Sequence, residues 1–442
     1  MCSAGACVNT CASIARCPDG VCQSGACVPI FGDGGVRPTD AGLDATLDAG
    51  TCHGPACDPV VHLTVRDARA YAVTAGGHAW AWGLATNYVL GDGLIAHGTC
   101  AMCSPTPVEV LDSTGAPLAN VVAVAASEAT ACALLADTSV RCWGYGSEGQ
   151  LGSPSGGSPV PTPVLDASGV AISAVTALAA GRSHFCVIRG AAREVWCWGQ
   201  GGGGQLGRGD TMDSDFAAPA STFTGRASAL ALSNTHTIVL RDDATAVGFG
   251  DDDCGCLGVG LAGLPVTPPA LLPVASIASV ATTSWNTCAL ATDGSVSCWG
   301  FGTAALGTSY LSATQQCMNC PSTAATHNCS PAPFVVALPT GVAFEHISGS
   351  AESIFFGYTR AHDLYAWGSS YMSPIDRIAT PLRISASATA PMVEAGASAQ
   401  VCLLDALGDV FCAGPNQNGE LGRGSVASSA VSDGRFLPVV WP

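Results

Sequence analysis

The chain has 442 residues, 54 of them Gly and 27 Pro, and only 11% are charged, a composition poor for long helices and suited to many short strands joined by turns. Sixteen Lys and Arg against 33 Asp and Glu give a net charge of −17. Such a chain repels phosphate backbones, which argues against general nucleic-acid binding.

The 23 cysteines point to an oxidising compartment, extracellular, outer-surface or periplasmic. Export needs a leader, and Met1-Cys2-Ser3 runs straight into a Cys-rich stretch. The leader is therefore expected upstream of this sequence or already removed, and one of lipoprotein type would add a membrane tether. The uncharged run Leu271 to Thr292 contains Pro273 and Asn286 and falls within a repeat, which argues against a membrane span.

Residues 1–30 include CSAGACVNTCASIARCPDGVCQSGACVP, with six cysteines from Cys2 to Cys27. So short a segment cannot bury an apolar core, and disulfides are expected to give it shape. Zinc ranks lower, because the segment has no CxxC and no histidine. Residues 31–57 contain FGDGGVRPTDAGLDATLDAG, an Asp/Gly/Ala-rich linker whose acids lack the spacing of an EF-hand loop. Cys52 and Cys57 are expected to close a small loop at its end.

Residues 58–442 repeat. VVAVAASEATACALLADTSVRCWGYGSEGQLG (Val121–Gly152) returns as VTALAAGRSHFCVIRGAAREVWCWGQGGGGQLG (Val175–Gly207), and again in the copies beginning at Ala229, Ile277 and Met392. Degraded copies at Val60–Gly91 and Phe344–Gly368 bring the number to seven. Each unit gives a small-residue strand, a turn, a strand ending in Trp-Gly, a Gly-x-Leu-Gly stretch, and a Pro/Val strand such as SPTPVEVL or PAPFVVAL. A period of about 50 residues with four strands predicts an all-β, seven-bladed propeller with the small residues innermost. RFLPVVWP ends the chain with no unit after it, so the C-terminal strand is expected to complete the first blade and close the ring.

The repeat resembles that of the regulator of chromosome condensation family. The resemblance rests on Ala180-Gly181 with His184, Asp293-Gly294, Trp143-Gly144, Trp198-Gly199, Trp299-Gly300, and GQLG at Gly149–Gly152 and Gly204–Gly207. It implies the seven-bladed fold, but the fold hosts unrelated roles. Eukaryotic members include exchange factors that dock on chromatin and a small GTPase, and secreted bacterial relatives include inhibitors that cap a β-lactamase with one propeller face. A Cys-rich head on an acidic linker is similar to bacterial surface lipoproteins; the missing basic tail disfavours a chromatin role, and the expected disulfides disfavour a GTPase exchange factor.

Four units carry a cysteine on each side of the hairpin turn: Cys132/Cys142, Cys186/Cys197, Cys288/Cys298 and Cys402/Cys412. The other three have Tyr71/Ala81, Ile238/Gly248 and Phe356/Ala366 at those places. Both-or-neither occupancy predicts disulfides. A three-residue loop at Thr292-Asp293-Gly294 or Ala406-Leu407-Gly408 sets the two positions opposite each other, with α-carbons ~4.5 Å apart in a non-hydrogen-bonded pair. Cys186/Cys197 needs a four-residue loop. A redox role would need a low-pKa thiol at a helix start or beside a cation, and a metal role four converging ligands, whereas each unit offers two. Cys100-Ala-Met-Cys103 and Cys317-Met-Asn-Cys320 occupy one inter-strand insertion in two units and are expected to form loop disulfides, with zinc between them as the alternative. Cys254, Cys256 and Cys329 have no evident partner.

His184 and His236 share one repeat position, which predicts a structural role. Ser183 beside His184 has no placed carboxylate, and no GxSxG elbow occurs. The run GQGGGGQLG lacks the Lys-Ser/Thr ending of a phosphate loop, and Asp251-Asp252-Asp253 reads as a solvated turn. No catalytic, cofactor or metal site is expected. The sequence predicts a monomeric, non-catalytic scaffold for a protein or cell-surface ligand, with the insertions Gly93–Ser104 and Gly307–Pro331 (Tyr310 among them) as contact elements. The alternative is a propeller enzyme acting on a surface polymer.

Overall fold

A computed structural model describes residues 58–442 except 99, 253–254, 260–264, 303–304, 308–315, 318–326, 351–352, 362, 370–377, 387–391, 396–399, 406 and 427–435. Of residues 1–57 it describes only the backbone of two short antiparallel pairs, Cys2–Ser3 with Ala6–Cys7 and Gly20–Gln23 with Ala26–Pro29. The expectations for Cys52, Cys57, Cys254, Cys320 and Tyr310 fall outside the described residues.

The chain folds as a seven-bladed β-propeller. The first blade runs Val60–Arg66, Arg69–Thr74, Ala79–Leu84, Cys103–Glu109, each strand antiparallel to the one before. The other six follow the same order, and the fifth adds the short strand Gln316–Cys317. The innermost strands are Val60–Arg66, Val121–Ala126, Val175–Ala180, Ala227–Leu232, Ile277–Thr282, Phe344–Gly349 and Met392–Ala395, and each touches the next around the ring. Small side chains are what that crowded position admits. Helix is confined, among the described residues, to a 3-10 turn at Thr86–Tyr88, and no helix is long and apolar enough to cross a membrane.

A glycine at or next to the end of each blade's third strand has a positive φ: Gly83, Gly144, Gly199, Gly250, Gly300, Gly368 and Gly414 lie between 95° and 128°, after Trp or Phe in six blades and after Ala413 in the seventh. A side chain there would collide with the turn joining the first two strands, whose backbone oxygen (Ala129 for Gly144, Thr235 for Gly250) lies against the glycine. Only glycine takes both the dihedral and the contact.

The apolar core is divided. Seven buried clusters lie one at each interface between neighbouring blades, from blades one and two around to blades seven and one. Trp82, Trp143, Trp198, Trp299 and Trp367 anchor five of them at 0% exposure, and each such ring buries enough area to contribute about 2–3 kcal/mol. Four indoles also donate backwards into the preceding blade's Gly-x-Leu-Gly turn: Trp143 Nε1 to the Val89 oxygen (2.7 Å), Trp198 to Gln150 (2.9 Å), Trp299 to Cys256 (2.8 Å) and Trp82 to Glu420 (3.0 Å). Blade four has Phe249 instead, and there the Thr237 hydroxyl donates to the Gln205 oxygen (2.9 Å).

The Trp82–Glu420 bond joins residues 338 apart and closes the ring. The C-terminal strand does contribute to closure, but not inside the first blade as the sequence suggested. Leu437–Pro438 pairs with Phe411 and Cys412 as the outer strand of blade seven, and Cys103–Glu109 already fills that place in blade one. The outer strand pairs with the strand just before it, so every unit completes its own sheet. The seam is then closed by side chains, with Trp441 edge-on to both Trp80 and Trp82 at 5.8 Å.

Candidate interaction face

The upper face of the propeller carries the turns between first and second strands and the long connections from third to outer strands. The hairpins between second and third strands lie on the lower face. There the aspartates of the turns act locally. Asp137 and Asp293 accept from Ser139 and Ser295, whose hydroxyl and amide bonds hold each carboxyl below its ordinary value.

On those hairpins the repeat positions meet as the spacing required. Cys132, Cys186, Cys288 and Cys402 face Cys142, Cys197, Cys298 and Cys412, with Cα–Cα separations of 4.0, 4.1, 4.1 and 4.1 Å and sulfurs in bonding geometry. Tyr71, Ile238 and Phe356 face Ala81, Gly248 and Ala366 in the same register. Cys100 and Cys103, with α-carbons 5.4 Å apart, bring their sulfurs together within the insertion, and Cys329 is wholly buried. Cys317 is described only in its backbone, paired with His327. The Cys256 thiol donates to the Asp251 oxygen at 3.3 Å.

The two repeat-position histidines are wholly buried. His184 Nε2 lies 3.0 Å from the Thr237 hydroxyl, which itself donates to a carbonyl, so the ring donates from Nε2. His236 Nε2 does the same toward Thr287, which donates to the Cys256 oxygen (2.8 Å), while the Ser233 hydroxyl sits 2.6 Å from Nδ1. Both rings are therefore neutral links between blades, and burial holds each pKa down to about 3. Asn286 takes the position in blade five and donates to the Phe301 oxygen. The glycine run forms the blade-three turn, with Gly203 N donating to Gln205 Oε1 at 2.8 Å, and Asp252 is buried, accepting from Leu257 N at 2.8 Å.

Two hollows open on the upper face. The axial channel, about 320 Å³, is lined by the inner strands. Arg66 reaches across it from blade one to donate to Asn234 Oδ1 of blade four at 3.1 Å, and burial lowers its pKa. Beside it a cleft of about 500 Å³ spans blades one to three, lined by Asp67, Arg69, Glu128, Tyr145, Glu148 and Arg182 among others. Arg69 donates to the Glu128 carbonyl, and Arg182 Nε pairs with the Glu128 carboxylate at 2.5 Å, holding that carboxyl below its usual range.

The blade-one insertion borders this cleft through Thr86 and Asn87. It is built rather than loose. Ala85 N bonds the Met102 oxygen, His97 and Cys100 exchange backbone hydrogen bonds, and Asp92 Oδ1 accepts from Leu94 N. His97 sits between two acceptors, Asp92 Oδ2 at 2.5 Å and the Cys103 oxygen at 3.2 Å, so the doubly protonated ring is favoured and its pKa is raised, chiefly by the Asp92 bond. This scaffold leaves Tyr88, Leu94, Ile95 and Met102 exposed at 41–57%. Apolar residues in GDGLIAHGTCAMC were a readable signal of such a surface, whereas the cleft and the Arg66 bridge join turns from different blades and had none. The companion insertion Gly307–Pro331 lies mostly outside the described residues.

Fold and face together define a seven-bladed propeller that presents rigid loops on one side, a scaffold architecture. A family model of the regulator of chromosome condensation (RCC1) repeat matches residues 121–150, within blade two. It is 29% identical over 195 residues to the ultraviolet-B receptor UVR8 of Arabidopsis thaliana, covering 43% of this chain and 44% of the receptor. It is 31% identical over 203 residues to the human E3 ubiquitin-protein ligase HERC2, covering 45% of this chain and 4% of the ligase. The chain thus spans less than half the length of these curated relatives. Among solved structures it resembles human WBSCR16 (TM-score 0.67, 19% identity, 83% of this chain and 94% of that one). It also resembles yeast RCC1 (Prp20) bound to Kap60 (TM-score 0.63, 21% identity, 76% and 78%). At these identities the structures share the fold.

Proposed function

We propose that this protein is a non-catalytic binding scaffold working outside the reducing cytosol: a disulfide-stapled head (residues 1–30), an acidic linker (31–57) and an oxidised propeller (58–442) whose upper face captures a protein. The observation that carries this is the preorganised blade-one insertion, which holds four apolar side chains in water beside a charged cleft. Exposed apolar clusters rimmed by polar groups mark interaction sites. The protein partner on the similar yeast propeller is consistent with such a use of the fold. Disulfide geometry within four blades supports an oxidising location.

The test replaces residues 93–102 with a short Gly-Ser turn, with Cys103→Ser, and compares capture by the immobilised oxidised chains. Loss of captured partners with unchanged circular dichroism supports the scaffold; identical capture by both chains refutes it. Non-reducing peptide mapping checks the compartment, because free thiols at the eight hairpin cysteines would place the protein elsewhere.

A further inference from the structure

The Thr86–Tyr88 turn that opens the blade-one insertion lies at one end of a run of acidic residues. The turn Thr86–Tyr88 packs against the third and outer strands of blade two, where Tyr145 is 39% exposed and Glu148 lines the cleft. The next residue, Gly149, lies against the backbone of Ser214 and Asp215 in blade three. Asp213 Oδ1 accepts from Gly201 N at 2.8 Å, and Gly203 lies against Asp251 of blade four. Glu128, Glu148, Asp210, Asp213, Asp215 and Asp251 thus succeed one another along the upper face. Arg69, Arg182 and Arg208 share this region. Arg69 and Arg208 are turned to backbone carbonyls and Arg182 to Glu128, leaving the arc three charges negative in a chain of −17.

We infer that the occupant of this face is a basic amphipathic segment of a protein partner, with its apolar side seated on Tyr88, Leu94, Ile95 and Met102 and its Lys or Arg residues along the acidic arc. This deepens the scaffold reading and rests on it. Apolar contact supplies affinity at the insertion. The arc selects the sign of the flanking charge, and the field of the whole chain draws a cationic segment inward at a rate that salt reduces. A polyanionic segment meets repulsion at the same place, so the face discriminates by charge as well as by fit.

Two synthetic fluorescent helical peptides with one Leu pattern, one carrying Lys and the other Glu at every polar position, test this by anisotropy on the full oxidised chain. The Lys peptide is expected to bind at least tenfold more tightly, and to lose at least tenfold between 20 and 300 mM salt, about the range over which the screening length falls severalfold. Leu94→Ser with Met102→Ser, and separately Glu148→Gln with Asp213→Asn and Asp215→Asn, are each expected to weaken it tenfold. Asp112→Asn with Asp137→Asn and Asp166→Asn, on the lower face, is expected to leave it unchanged. Equal binding of the two peptides, no binding of the Lys peptide, or equal loss in the lower-face variant overturns the inference. Partner capture that still requires the insertion would then leave the scaffold reading standing.

Discussion

Replacing His184 and His236 together by Asn should flatten the acid limb of the stability curve. Each imidazole is buried and neutral, with a folded pKa of about 3 against 6.5 for a free ring. Between those values the unfolded chain binds protons that the folded chain refuses. Stability is therefore complete above pH 6.5 and falls as the pH drops toward 3. At pH 4.5, two pH units below the free-ring value, the loss is about 3 kcal/mol per ring and about 5 kcal/mol for the pair. Aspartates held low by turn hydroxyls lose their share only below about pH 4, so the windows separate. His62, lowered by burial to about 4, leaves a residual slope in the variant. Asn is the chain's own alternative, since Asn286 occupies the position in blade five. Urea unfolding at pH 7.5, 6.5, 5.5 and 4.5 measures the effect. A double variant that loses as much stability as the parent from pH 6.5 to 4.5 would show that these rings are not buried neutral links.

Three further outcomes follow from the packing. Cys288→Ser with Cys298→Ser should lower stability by about 2–3 kcal/mol in urea without changing the fold, since the staple closes a short loop. Glu420 occupies the place of Gln150 and Gln205, is 1% exposed, and has its pKa raised by burial. Because the buried carboxylate is penalised at neutral pH, Glu420→Gln should raise the melting temperature at pH 7.5, with a smaller gain at pH 4 where the acid is protonated; a loss at pH 7.5 would contradict the assignment. Trp198→Phe should cost about 1–2 kcal/mol by orphaning the Gln150 oxygen while keeping an aromatic ring, as Phe249 does in blade four.

The sequence by itself determined the blade count, the innermost position of the Ala- and Ser-rich strands, and the facing register of the hairpin residues. All three follow from local rules: a two-residue side-chain period, a turn of fixed length, and a glycine where no other residue takes the required φ. The role of His184 and His236 was also legible, because a side chain repeated at one position serves the repeat before it serves a ligand. Ring closure was not legible, because RFLPVVWP carries the same local pattern wherever it pairs. It was decided by adjacency to Val410–Ala413 and by the indoles of Trp80, Trp82 and Trp441 meeting across the seam. The upper face belongs to the tertiary structure for the same reason. Glu148, Asp215 and Asp251 come from three different blades, and Arg66 meets Asn234 across 168 residues. A repeat period specifies each blade from nearby residues, whereas a surface shared among blades exists only once the ring has closed and set the distances between them.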